Sequence, residues 1–340
     1  MTNQKTTVLI TGANGEIGHG LIPYLAGKKT NYIIALDINP LDPELHQYTD
    51  EFIKGDILDK EHLKEIIDRN SFDTVFHLAA LLSTTAEIYP EKAHLVNVEG
   101  TLNLLELTTN HMRSDKQVKF IFPSSVAVYG MPNLEIKNEM KTVRESDNNQ
   151  PITMYGMNKL YCEHLGTYFS KYYKSLDEKK KNLIDFRCVR FPGIISALTV
   201  PTGGTSDYAP EMLHSAAQGQ GYESFVREDT IIPFMAMPDA VKALTMLAEA
   251  PQEKLSQSVY NVTSFSATAE EIAKLVNQVY PDSAISYSPN EARQKIVDSW
   301  PQGLDDNKAR NDWGWDADYD MQKTFNEYLI PVVKEKYSAS

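Results

Sequence analysis

The sequence predicts an α/β fold: a doubly wound parallel sheet with a smaller lobe following it. Three observations carry this. Short apolar strands alternate with amphipathic helical segments from residue 7 to residue 191. The strands read as continuous apolar runs, as parallel strands covered on both faces do. A glycine-spaced turn then links the first strand to the first helix.

Residues 7–11 form the first strand, and 16–28 carry Ile17, Leu21, Ile22 and Leu25 at helical spacing. Ile33-Ile34-Ala35-Leu36 is a second buried strand closed by Asp37. A third strand is expected at 52–55, an amphipathic helix at 60–70 and a fourth strand at 74–78. A long helix follows at 93–109, a fifth strand at 118–123, a long helix at 157–174 and a sixth strand at 184–191. After Phe191 the pattern loosens, and Pro, Gly, Ser and Thr cluster at 192–206. The division is therefore placed there. Residues 1–192 are the cofactor-binding domain, and 193–340 are mainly a substrate-binding lobe, partly interleaved with the first.

The 340 residues are 42% hydrophobic and 23% charged, enough for a real core in one large or two modest domains. A formal net charge of −13 disfavours nucleic acid and anionic membrane surfaces as partners. Lys179-Lys180-Lys181 follows Asp177-Glu178 and reads as a solvated loop. Cys162 and Cys188 have no metal or redox spacing and are expected as buried thiols of a reducing compartment. The eight histidines show no HExxH or paired spacing, so no metal is expected, and His77 reads as strand-end packing. Residues 1–5 are polar, and no apolar run has transmembrane length. The expectation is a cytoplasmic enzyme.

The turn reads Gly12-Ala13-Asn14-Gly15-Glu16-Ile17-Gly18. Glycines let backbone approach a pyrophosphate, and the helix start after them offers N–H groups to its charge. In a strand–loop–helix this is a Rossmann-type dinucleotide site. Asp37 ends the second strand 19 residues after Gly18, where a carboxylate accepts from the adenosine ribose hydroxyls. It would repel a 2′-phosphate, and Ile38-Asn39-Pro40 supplies no cation, so NAD is expected over NADP. Asp56 and Ile57 are expected near the adenine. A plain loop or N-cap carboxylate is the alternative for Asp56.

Tyr155 and Lys159 stand four residues apart, on one face of a helix. An ammonium beside a phenol favours the phenolate, and a phenol so tuned serves as a general base. The same spacing recurs in Tyr24/Lys28 and Tyr319/Lys323. Ser124 and Ser125 fall at the C-terminal end of the fifth strand, where ligands bind in open α/β sheets. A hydroxyl there, Ser125, can hydrogen-bond a reacting alcohol or ketone oxygen.

The glycine turn, Asp37, His77-Leu78-Ala79-Ala80, Asn97-Val98-Glu99-Gly100-Thr101, Ser125 and Tyr155/Lys159 occur in the order of the extended short-chain dehydrogenase/reductase family, which the chain resembles. The resemblance implies that Tyr155 is the base and that Lys159 binds the nicotinamide ribose and lowers the tyrosine pKa. It also implies that Ser125 positions the substrate oxygen and that Asn97 supports the site. Leu78, Ala79, Ala80, Ser124 and Pro192 complete the expected NAD shell.

Within that family, residues 188–211, 228–240, 298–301 and 312–315 resemble the L-threonine 3-dehydrogenases of the short-chain type. This implies oxidation of L-threonine at its 3-hydroxyl to 2-amino-3-oxobutyrate, and a homodimer packed through the helices at 93–109 and 157–174. Thr202 and Thr205 flank Gly203-Gly204 where that family usually has a third glycine. Ser83, Gly204 and Thr205 are expected around the amino acid, with backbone N–H groups for its carboxylate. Asp207 and Glu211 are candidates for its ammonium, and Tyr208 reads as packing. Arg190 stands either as a substrate charge or as a structural ion-pair partner, and Trp300 either as a pocket wall or as core. Two rivals stand beside this. A nucleotide-sugar epimerase or dehydratase would need a basic cluster for a diphosphate, and 193–300 shows none. A non-catalytic NAD sensor has no need of the Ser125/Tyr155/Lys159 set.

Overall fold

In this computed structural model, residues 5–111, 117–177, 183–197, 199–201 and 203–338 are described. The lysine run at 179–181 and Thr202 lie outside them. The first strands in chain order are β1 (Thr6–Thr11), β2 (Asn31–Asp37), β3 (Glu51–Lys54), β4 (Thr74–His77) and β5 (Val118–Ser125). Then come β6 (Thr142–Val143), β7 (Ile184–Phe191), β8 (Gly193–Ile195), β9 (Tyr222–Ser224), β10 (Ile231–Ala236) and β11 (Val259–Asn261). Seven of them make one sheet, ordered β11-β7-β5-β4-β1-β2-β3, and every pairing in it is parallel. The chain starts in the middle and winds outward both ways, so the order reverses between β1 and β4. A crevice opens at such a point, outside the carboxyl ends of the strands. β11 comes from the second half of the chain, which therefore also builds the main sheet.

The strands alternate between two cores. Val8 and Ile10 of β1, Ile33 and Ala35 of β2, and Val189 of β7 face α1 (Glu16–Gly27), through Leu21, Ile22 and Leu25. Leu9, Ile34, Phe120, Phe186 and Cys188 face the other way. They pack on Ile66 of α2 (Lys60–Arg69) and, beyond the short α3 (Ser83–Ile88) and α4 (Pro90–His94), on Leu104 of α5 (Gly100–His111). Burying one such side chain is worth about 1.5–3 kcal/mol, and the period of two assigns each to its side. A third core fills the second half around Tyr208, Phe234, Ile272 and Trp300.

Three element boundaries differ from the sequence expectation, each for a local reason. The helix expected at 93–109 is interrupted by a π-turn at Leu95–Glu99, which separates α4 from α5. The fifth strand continues to Ser125, because β7 pairs with it as far as Ser125↔Phe191. After α6 (Leu134–Met140), α7 runs over Met154–Lys171 and starts three residues early. Its cap is Thr153, whose hydroxyl accepts the Gly156 N–H at 3.1 Å. Among the described residues no helix is long and apolar enough to cross a membrane.

Candidate active site

Gly12 has φ +68°, and a Cβ there would come within 2.6 Å of the Ala79 nitrogen. Only glycine allows β1 to turn this close to the end of β4. No side chain caps α1, so its first-turn N–H groups have no side-chain acceptor, and Gly15 presents no side chain in front of them. Asp37 accepts the Asn14 and Asn39 N–H groups, both at 2.9 Å, and is thereby pinned beside the turn. The Asn14 amide is spent within the loop, on Pro40 O and the Asp42 N–H. An uncapped helix start fronted by bare backbone, next to a fixed carboxylate, fits a dinucleotide's pyrophosphate and ribose.

A cleft of about 570 Å³ opens here. The turn (Asn14–Ile17), the ends of β5 and β7, the N-terminal part of α7 and residues 199–201 and 204–207 all line it. Leu78, Ala80, Ser83, Ser124, Ser125, Tyr155, Lys159, Pro192, Gly204, Thr205 and Trp300 stand in its wall. Trp300 combines both of its readings, because it is also buried in the lobe core. Asp56 and Ile57 do not line the cleft. Asp56 accepts the Leu58 N–H at 2.9 Å, and Ile57 packs in a core.

β4 stops pairing with β5 at Ile121, so the end of β5 has a bare edge toward the cleft. Lys159 fills that edge, and its Nζ donates to the Pro123 carbonyl at 2.7 Å. The ammonium lies 4.5 Å from the Phe122 ring centre and 5.6 Å from that of Tyr155. Burial lowers the Lys159 pKa to about 8, against the opposing pull of Cys162, Cys188 and Glu163. Burial also pushes the Tyr155 phenol above its ordinary value, and a hydrogen bond with Ser125 offsets this in part. The sequence expectation was a phenol lowered by its lysine. It is corrected for the protein alone: Lys159 lies over the ring face, bonded to Pro123, and desolvation dominates. Gly156, which the motif reading passed over, sets this geometry. A Cβ there would meet the Ala127 carbonyl at 2.0 Å, so α7 needs glycine to pack against the turn after β5.

A buried network lies behind the pair. Glu163, one turn beyond Lys159, accepts from Ser124 Oγ at 2.5 Å and from Arg190 Nη2 at 2.6 Å. Arg190 also donates from Nη1 to Tyr129, Glu145 O and Asn149. It is buried outside the cleft lining and forms an ion pair with Glu163, the structural of its two readings. Glu163 was missed, although a carboxylate four residues after Lys159 on the same face was visible in the sequence.

Asn97 contacts backbone directly. It accepts the Leu81 N–H at 2.8 Å and donates to Leu81 O at 3.0 Å, clamping the segment that leads to Ser83. The π-turn presents it there, as such turns often do at functional sites. His77 is buried between Thr11 and Thr101 hydroxyls, 2.7 and 2.9 Å away, and burial and the Lys159 charge lower its pKa to about 3. It is neutral packing, as read from the sequence.

After β8, Thr205 Oγ1 donates to Ser83 Oγ at 3.0 Å, and the Gly204 N–H goes to Asp207 at 2.6 Å. The Gly204 N–H expected for a carboxylate is thus held within the loop. Glu16 spans from the turn to this loop and accepts from Thr199 at 3.1 Å. Burial raises its carboxyl to about 7, the Thr199 bond opposes that, and Asp207 adds to it.

The model of a family described as NAD dependent epimerase/dehydratase matches residues 8–263. The chain is 36% identical over 324 residues to a Bos taurus protein named L-threonine 3-dehydrogenase, mitochondrial, covering 95% of this chain and 81% of that one. An X-ray structure of L-threonine dehydrogenase from Clostridium difficile superposes with a TM-score of 0.85 at 34% identity, covering 98% and 99% of the two chains. A structure described as a monomeric L-threonine 3-dehydrogenase from a metagenome gives the same TM-score at 35% identity, covering 97% and 99%.

Proposed function

The chain belongs to the NAD-dependent epimerase/dehydratase family, and we propose that it oxidises the 3-hydroxyl of L-threonine to give 2-amino-3-oxobutyrate. One observation carries this reading: Ser125, Tyr155 and Lys159 converge on the wall of the cleft that the uncapped start of α1 enters. NAD, when bound, supplies the acceptor for the hydride from C3. The turn and Asp37 hold the dinucleotide, and Lys159 stands at the nicotinamide end. Ser125 donates to the reacting oxygen, and the Tyr155 phenolate takes the hydroxyl proton. Because burial raises the phenol, turnover rises with pH. Ser83 and Thr205 hydroxyls face the amino acid. The Asp207 carboxylate lines the same cleft beside Thr205 and suits an ammonium.

A homodimer is part of the proposal. Met157, Tyr161, Tyr168 and Tyr172 are exposed in and just after α7, and Ile88, Tyr89 and Leu95 are exposed in and around the neighbouring α3 and α4. Light scattering tests it, and a monomer at micromolar concentration rejects it. The reaction is tested by NADH formation from NAD with each threonine stereoisomer, with NADP as control. L-Threonine should give the signal. Absence of signal with L-threonine across pH 7–10 rejects the substrate.

A further inference from the structure

We propose that Arg293, on the helix Glu291–Asp298, is a positioning residue that anchors the Gly203-Gly204 turn from the lobe side. This rests on the threonine reading for its kinetic consequence, but the contact itself does not. Gly203 and Gly204 have no side chains with which to anchor themselves, and Gly203 sits at φ +87° with open space around its missing Cβ. A Gly-Gly turn loses more backbone entropy on ordering than any other pair, so it needs an external clamp. Arg293 Nη2 donates to Gly204 O at 2.8 Å and to Gly203 O at 3.1 Å. Thr84 on α3 donates to the same Gly203 carbonyl at 2.9 Å from the other side. The two adjacent carbonyls are thus pinned between the two halves of the molecule. That orientation leaves the Gly204 N–H on Asp207 and the Thr205 hydroxyl on Ser83.

The guanidinium carbon lies over Phe225, 3.2 Å from its ring centre, which holds the cation beside the turn. A lysine keeps the charge and the N–H donors but has no planar group to lay over the ring. Burial raises the carboxyl of Glu211 on α8 (Tyr208–Ala217), and the Arg293 charge pulls against this. Arg293 does not line the cleft, so it acts through the loop and not on the substrate.

The test uses Arg293→Met, which keeps an apolar stem over Phe225, and Arg293→Lys, which keeps the charge. Hydrogen–deuterium exchange of the 199–207 segment should rise in both variants, more in Arg293→Met, with β1–β7 unchanged. Threonine KM should rise about tenfold or more, with kcat within about threefold and NAD binding unchanged. Methylguanidinium should partly restore KM in Arg293→Met. Unchanged exchange in 199–207 overturns the proposal, as does a rise spread over the whole sheet in both variants. A fall in kcat at unchanged KM also overturns it. If the wild type shows no threonine-dependent NADH, the substrate reading fails alone, and the exchange experiment still decides Arg293.

Discussion

Tyr24/Lys28 in α1 and Tyr155/Lys159 in α7 share a spacing and even a local geometry. Lys28 Nζ lies 5.0 Å from the Tyr24 ring centre, and Lys159 Nζ lies 5.6 Å from that of Tyr155. Each is also near a glutamate: Glu249 pairs with Lys28, and Glu163 lies one turn past Lys159. Surroundings separate them. Tyr24 is 44% exposed, and its lysine is paired at the surface, where water screens the charge. Lys159 is 4% exposed and held by one carbonyl at a bare strand edge. In the third pair, Lys323 is exposed with its ammonium on the Asp318 carbonyl, and Tyr319 lies before its helix begins. The spacing alone therefore does not set the contact. Desolvation and convergence with Ser125 set one copy apart.

The sharpest way to break this comparison is to remove both phenols in turn. Tyr155→Phe should lower threonine-dependent turnover about 10²–10⁴-fold while NAD still binds. Tyr24→Phe should leave turnover unchanged. Equal effects in initial-rate assays would erase the distinction.

Next come the two glutamates. Glu163→Gln leaves the Arg190 cation buried without a counter-charge and should cost about 3–5 kcal/mol in urea unfolding. Glu249→Gln removes a surface partner and should cost no more than about 1 kcal/mol. A Glu163→Gln cost as small as the surface value would show that the network is not closed.

The lysines give a pH signature. The folded pKa of Lys159, about 8, lies below its ordinary 10.5, so burial disfavours the folded state while the amine is charged. That cost is complete below pH 8 and fades as pH rises from 8 through 10.5. Lys159→Met should therefore stabilise the protein by up to about 3 kcal/mol at pH 7, with the gain gone above pH 10.5, although turnover is lost. Denaturant titrations at the two pH values measure it, and a pH-independent difference would refute the assignment to burial. Smallest of all, Lys28→Met should change stability by less than about 1 kcal/mol, and added salt should shrink that difference.

Much of the fold was legible because its signals are local. Period-two burial in β1 and β2, the glycine spacing and Asp37 each follow from neighbours in the chain. What went astray was non-local. Arg190 ends a strand pointing toward the cleft region, so sequence left its role open. Glu163, 27 residues earlier, decides it across the α7–β7 contact. The π-turn that brings the Asn97 amide onto the Leu81 backbone was likewise not visible in the spacing. The phenol was expected to be lowered by its lysine, yet the ammonium is turned onto Pro123 and burial prevails. Arg293 drew no notice, since nothing in its helix tells that Gly203 and Gly204 lie against it.

The sequence by itself determined the alternation of strands and helices, the pyrophosphate turn and the residue types of the site. These rest on backbone propensity, periodicity and spacing within single elements. Tertiary structure alone decided which Tyr/Lys pair is buried, where each cation finds its partner and which halves of the molecule grip the Gly-Gly turn. Desolvation and long-range hydrogen bonds are properties of what packs together, and no spacing along the chain encodes them.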